Sequence, residues 1–174
     1  MADKAYGTIL LDVGTLSITT SAGATATTIG FTRGGEFNDN YKTRDIQVDG
    51  RVSPLKGEKV VESAEPTLTF NALQMEATNL DMLFSGMSIS AVSSVSTLTR
   101  SQSLTDADYL SAVTYTGTTA AGKSVVITLN NCLANGAINF KFEDKNEVEI
   151  SAQFIAHNTI TANTTLPYTI AITA

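Results

Sequence analysis

The stretch Ile138-Asn139-Phe140-Lys141-Phe142-Glu143-Asp144-Lys145-Asn146-Glu147-Val148-Glu149-Ile150-Ser151-Ala152-Gln153-Phe154-Ile155-Ala156 alternates apolar and polar side chains on both sides of a polar triplet. Val148, Ile150, Ala152, Phe154 and Ala156 fall on one face, and Glu147, Glu149, Ser151 and Gln153 on the other. A period of two marks a half-buried strand, because successive side chains of a strand point to opposite faces. With Asp144-Lys145-Asn146 as the turn, the pairing follows by arithmetic. Phe142 stands opposite Val148, Phe140 opposite Ile150, and Ile138 opposite Ala152. On the other face Lys141 meets Glu149, a favourable cross-strand charge pair. An antiparallel hairpin is expected here.

The same alternation extends outward from this hairpin. Strands are expected at Leu16–Thr20, Thr27–Thr32, Arg44–Val48, Lys59–Phe70, Ile89–Thr99, Tyr109–Thr116, Lys123–Asn130 and Leu166–Thr173. Asp49-Gly50 is a tight-turn dipeptide. One segment departs from the pattern: Leu73, Ala77, Leu80, Phe84 and Met87 recur at helical spacing, and Gly86 is suited to end a helix. The expected fold is mainly β, an antiparallel β-sandwich or barrel-like domain spanning residues 1–174, with one short flanking helix at about residues 73–86. Composition points the same way. Ser and Thr make up 41 of 174 residues and 26 of these are Thr, whose branched Cβ suits a pleated sheet.

Several classes of chemistry are disfavoured. A lone Cys132 cannot form a disulfide within the chain, and one Cys with one His is half of a tetrahedral zinc set. With 17 acidic and 11 basic residues the net charge is −6, so there is no basic footprint for gripping nucleic acid phosphates. No apolar run approaches the ~18 residues needed to span a bilayer. Met1-Ala2-Asp3-Lys4 does not open a basic-then-apolar secretory signal, so a soluble chain made in a cytoplasm is expected.

Gly117-Thr118-Thr119-Ala120-Ala121-Gly122-Lys123-Ser124 satisfies the phosphate-loop pattern letter for letter. That chemistry needs a helix N-terminus after the Lys, aimed at the phosphates. Beyond Ser124 the chain instead runs Val125-Val126-Ile127-Thr128-Leu129, a β-branched strand, so a hairpin with a small-residue loop is expected. His157 is the only candidate base for a serine nucleophile, and no nucleophile-elbow pattern accompanies it. Glu147 and Glu149 share a strand face, which is more often solvated than an acid–base couple. The chain is expected not to be an enzyme and to hold no cofactor or metal.

Charge is unevenly spread. Residues 33–65 carry 13 of the 28 charged side chains, six basic and seven acidic, while Leu16–Thr32 carries none. A densely charged segment of both signs is either a solvated loop or a projecting element that meets a complementary surface.

Two stretches resemble a known family. Ile29-Gly30-Phe31-Thr32-Arg33-Gly34-Gly35-Glu36-Phe37, continuing to Arg44-Asp45-Ile46-Gln47-Val48-Asp49-Gly50, is similar to the N-terminal half of tail tube (major tail) proteins of bacteriophages with long, flexible, non-contractile tails. Thr67-Leu68-Thr69-Phe70 followed by Leu73-Gln74-Met75-Glu76-Ala77-Thr78-Asn79-Leu80 resembles that family's strand-then-helix step. The likeness covers roughly residues 25–90.

The resemblance implies a structural virion protein without catalytic residues. Its subunits would form hexameric rings that stack into a tube, conducting double-stranded DNA during ejection without binding it specifically. Partners would be other copies of the chain, with tape measure, tail terminator and distal tail components. The location would be the virion tail, assembled in the host bacterial cytoplasm. By position, residues 34–59 match a projecting inter-ring loop or hairpin, with Arg44, Asp45, Arg51, Lys56 and Glu58 as candidate contacts. Residues 1–13 and 161–174 match terminal arms. The hairpin's polar face, with Lys141, Glu143, Glu147 and Glu149, is the candidate lumen or ring-interface surface. The inner tube of a contractile tail or secretion system is the nearer alternative; a monomeric β-sandwich binding module is the more distant one, since the chain has no Trp to stack on sugars.

Overall fold

In the computed structural model, described residues are 10–30, 32–46, 53, 56–73, 76–119, 123–141, 148–161 and 164–173; the side chains of residues 10–13, 119 and 141 lie outside that description. The chain is mainly β and antiparallel, with one short helix. In order the elements are β1 Leu10–Thr19, β2 Thr27–Ile29, β3 Thr32–Asn38, β4 Lys42–Asp45, β5 Lys59–Ser63, β6 Thr67–Ala72, α1 Ala77–Leu83, β7 Met87–Val92, β8 Val95–Arg100, β9 Leu110–Thr119, β10 Ser124–Ala134, β11 Phe140–Lys141, β12 Glu149–Ala156 and β13 Tyr168–Ile172. Nine of the strands form one sheet in the order β2-β1-β9-β10-β12-β6-β3, with β11 added beside β12 and β13 beside β10. Two separate ribbons, β4–β5 and β7–β8, complete the structure.

Alternation builds the core. Ile150, Ala152, Phe154 and Ala156 of β12 are buried, as their period of two requires, and so are Leu68, Phe70 and Ala72 of the neighbouring β6. Phe70 and Phe154 stack across this pair with centroids 5.7 Å apart. Leu16, Ile18, Ile29, Val113 and Leu129 close the core from the other limb of the sheet. The sheet coils over itself because β10 changes partners along its length. Val125–Leu129 pairs with β13, whereas Cys132–Ala134 pairs with β12. Asn131, with φ of 49°, sits at the changeover, and its short polar side chain tolerates that conformation. The result is a sandwich-like fold around one apolar interior.

The hairpin register holds where it is described: Phe140 pairs with Ile150 and Lys141 with Glu149. The Phe142–Val148 pair and the Asp144-Lys145-Asn146 turn involve residues outside the described set. The third expected pair fails. The β11–β12 ladder ends at Phe140–Ile150, and Ile138 lies in the stretch between β10 and β11, 39% exposed.

Other expectations need correction. Helix α1 covers seven residues, Ala77–Leu83, instead of about 73–86. Glu76 and Phe84 both take extended backbone angles, and no side chain caps the first turn. Leu73 follows β6 directly and Met87 opens β7, so the two ends of the apolar stripe serve strands. Gly86, with φ of 70°, makes the exit turn after the helix. Lys59–Phe70 is two strands, divided at Ala64-Glu65-Pro66, where proline cannot donate to a ladder. Ile89–Thr99 is a hairpin, Met87–Val92 against Val95–Arg100, turning on Ser93-Ser94.

Candidate functional site

The outward side of β3, β6 and β12 is a polar surface built by the alternation that buries the core. Three cross-strand rows compose it: Arg33, Asn71 and Ser151; Glu36, Thr69 and Gln153; Asn38, Thr67 and Ile155. Glu149 extends the first row. It accepts a hydrogen bond and ion pair from Arg33 Nη1 at 2.9 Å and a hydrogen bond from Asn71 Nδ2 at 3.3 Å. Both partners of the ion pair are solvated, so it contributes below ~1 kcal/mol and serves mainly to set side-chain positions. Across the middle of this surface runs a shallow groove of about 420 Å³, whose lining includes Glu36, Asn38, Glu65, Asn135 and Gln153.

Of the four residues expected on the hairpin face, Glu149 is therefore placed on this surface. The Lys141 backbone lies opposite it, and Glu143 and Glu147 lie outside the described residues. Arg33, Glu36, Asn38, Thr67, Thr69, Asn71 and Gln153 complete the face. The alternation of Thr67, Thr69 and Asn71 with Leu68, Phe70 and Ala72 was the available signal, but strand adjacency across the sheet was not.

The β4–β5 ribbon extends the turn end of the β3–β6 pair. Residues 34–38, expected within a projecting loop, are instead part of β3 in the main sheet. The ribbon is tied at its base: Glu65 N–H donates to the Asp39 carbonyl at 3.1 Å, and Asn40 Nδ2 donates to the Glu65 carbonyl at 2.9 Å. Asn40 has φ of 48°, the left-handed conformation that turns the chain outward. Asp39 also accepts from the Tyr168 hydroxyl at 3.3 Å, joining the base to β13. Burial and the nearby Asp39 charge raise the Tyr168 phenol above its ordinary range. Beyond this root the side chains of Lys42 and Arg44 are exposed, and Lys59 pairs with Asp45 at 3.3 Å. Lys56 is exposed and Glu58 is half-buried, its carbonyl accepting from Ile46 N–H at 2.8 Å; Arg51 and the Asp49-Gly50 turn lie outside the described residues.

The terminal segments differ from each other. Most of 1–13 is outside the described residues, with Leu10–Val13 already in β1, while Tyr168–Ile172 within 161–174 is a strand on β10.

The phosphate-loop lookalike joins β9 to β10, and Ala120, Ala121 and Gly122 within it lie outside the described residues. Gly117 is inside β9 opposite Val125, and Ser124 opens β10 opposite Thr118. His157 follows β12, with its ring edge-on to Tyr109 at 5.2 Å and its backbone N–H directed to the Asn130 and Asn131 carbonyls. Its Nδ1 is buried and has no hydrogen-bond partner among the described residues. Cys132 is buried, which pushes its thiol up to about 12. Among the described residues no group of three or more His, Cys, Asp or Glu is placed to hold a metal ion. No family model and no curated protein matches the chain.

Proposed function

We propose that the protein is a structural subunit that assembles with copies of itself into stacked hexameric rings, forming the tail tube of a long-tailed, non-contractile bacteriophage. The observation that carries this reading is the β4–β5 ribbon: a separate two-stranded element, anchored at Asp39, Asn40 and Glu65, whose charged side chains are mostly solvated. Among its described residues the ribbon is tied to the body of the subunit at this root, a form suited to reaching a neighbour. Charge supports the reading. The described ribbon residues include four cations, Lys42, Arg44, Lys56 and Lys59, against three anions, Asp45, Glu58 and Glu62. Among the described side chains the polar face has the opposite balance, with Glu36, Glu65 and Glu149 against Arg33. An arm and a face of complementary sign suit head-to-tail stacking of identical subunits. The exposed edge strands of the curled sheet also call for partners.

Negative-stain electron microscopy of the purified chain, concentrated at low ionic strength, tests this directly. Rings or smooth tubes are the expected outcome. Persistent monomers, including after seeding with an initiating tail tip, would sink the proposal. A sheath gene beside the one for this chain would instead identify a contractile system.

A further inference from the structure

We propose that Asn135 is a site of spontaneous deamidation and isomerisation, which adds negative charge to the polar face as the protein ages. Asn135-Gly136 is the only Asn-Gly pair in the chain, and it lies where β10 ends and the chain bows away from β12. The Asn135 backbone is fixed, its N–H donating to the Gln153 carbonyl at 2.8 Å. Its carboxamide is exposed and has no hydrogen-bond partner among the described residues, and neither has the Gly136 N–H. The electrophile and the nucleophile are thus both unoccupied and adjacent. Space around the glycine is open, with nothing within 4 Å of the position a Cβ would take. Arg100 Nη1 donates to the Gly136 carbonyl at 3.1 Å, and Arg100 Nε to the Ser85 carbonyl at 3.2 Å. The guanidinium sits on the carbonyl of the next peptide group, and a positive charge held on the same residue as the attacking nitrogen favours the anion that must form there.

The step is internally balanced. Solvent base removes the Gly136 amide proton, and the nitrogen attacks Asn135 Cγ. The N–Cγ bond forms, the Cγ–Nδ2 bond breaks, and ammonia leaves after taking a proton from water. Water then opens the resulting succinimide at either carbonyl, giving aspartate or isoaspartate. The net reaction consumes one water and releases one ammonia. Asn135 lines the groove with Glu36 and Glu65, so the product carboxylate joins two existing ones. Isoaspartate also lengthens the main chain by a methylene just after β10.

The test is peptide mapping by mass spectrometry after incubating the full chain at mildly alkaline pH, with isoaspartate scored by enzymatic methylation. Position 135 should lose its amide about tenfold faster than exposed Asn158, which precedes the β-branched Thr159, because glycine alone leaves the attacking nitrogen unhindered. Gly136→Ala should slow the loss by a similar factor. This variant is expected to fold, since Gly136 is not among the glycines of positive φ and its surroundings are open. Circular dichroism checks that point. Equal rates at Asn135 and Asn158, or an unchanged rate in the folded Gly136→Ala variant, would overturn the proposal.

Discussion

Gly14 shows how one missing side chain positions an aromatic. It pairs with Gly117 across β1 and β9, beside a register shift, while Tyr115 pairs with Leu16 two residues along β1. The Tyr115 ring leans back over the glycine, so that a Cβ at position 14 would collide with it. Gly14→Ala should therefore cost about 1–3 kcal/mol through overpacking, read as a lower urea midpoint. In a Tyr115→Leu background the same substitution should cost far less; equal losses in both backgrounds would refute the collision. Cys132 gives a second prediction at this scale. Its thiol is held up to about 12 by burial, with a backbone hydrogen bond at Val113 opposing the shift weakly. A raised folded-state pKa means that the protonated form is favoured in the native protein. The corresponding stability is whole below the ordinary thiol pKa and is lost as pH climbs from about 9 towards 12. Replacing Cys132 by Ala should flatten the fall of stability over that window while leaving the slope near neutrality unchanged. An identical alkaline slope in the variant would show that other groups, Tyr168 among them, account for it.

The elements show which signals a sequence carries. In β12 the alternation of Ile150, Ala152, Phe154 and Ala156 was enough to place its buried face, because period two has a single meaning once one side is covered. The β7–β8 hairpin hid from the same logic. Ser93 and Ser94 both adopt positive φ, 46° and 69°, forming a two-residue turn of the kind usually built from Asn-Gly. Serine sends no such signal, so two strands read as one. Replacing the pair by Asn-Gly should relieve roughly 1 kcal/mol of backbone strain and raise Tm by about 2–4 °C. No change in Tm would mean that the turn is not strained. The candidate site was legible only in part for a related reason. Glu149 could be assigned to a polar strand face from local pattern, but its contacts with Arg33 and Asn71 depend on β6 and β3 arriving beside β12. Asn71 and Arg33 are 78 and 116 residues away in the chain, and no period within a strand encodes which strand lies next to it.

At the scale of the molecule, the distribution of charge is where the proposed tube function can be tested. The net charge is −6, yet the described ribbon carries a small excess of cations, so the acidity is concentrated elsewhere. Part of it lies on the polar face, where Arg33 offsets only one of Glu36, Glu65 and Glu149. If that face lines a channel, its carboxylates keep a passing polyanion from settling on the wall, provided that the gap is within a Debye length of about 8–10 Å. If it instead meets the ribbon of the next ring, the same carboxylates hold rings together. Replacing Glu36, Glu65 and Glu149 together by Gln separates the two roles. A lumenal face predicts tubes of normal length with DNA ejection slowed several-fold, most clearly at low salt. A ring-to-ring face predicts shorter or salt-sensitive tubes, with ejection unchanged through those that do form. Glu149→Gln keeps only one of the two oxygens that accept from Arg33 and Asn71, so Asn71→Ala, which removes one of these hydrogen bonds without changing charge, is the control for loss of the local bonds. Normal tubes with normal ejection would remove this face from both roles and leave the acidic charge a matter of solubility alone.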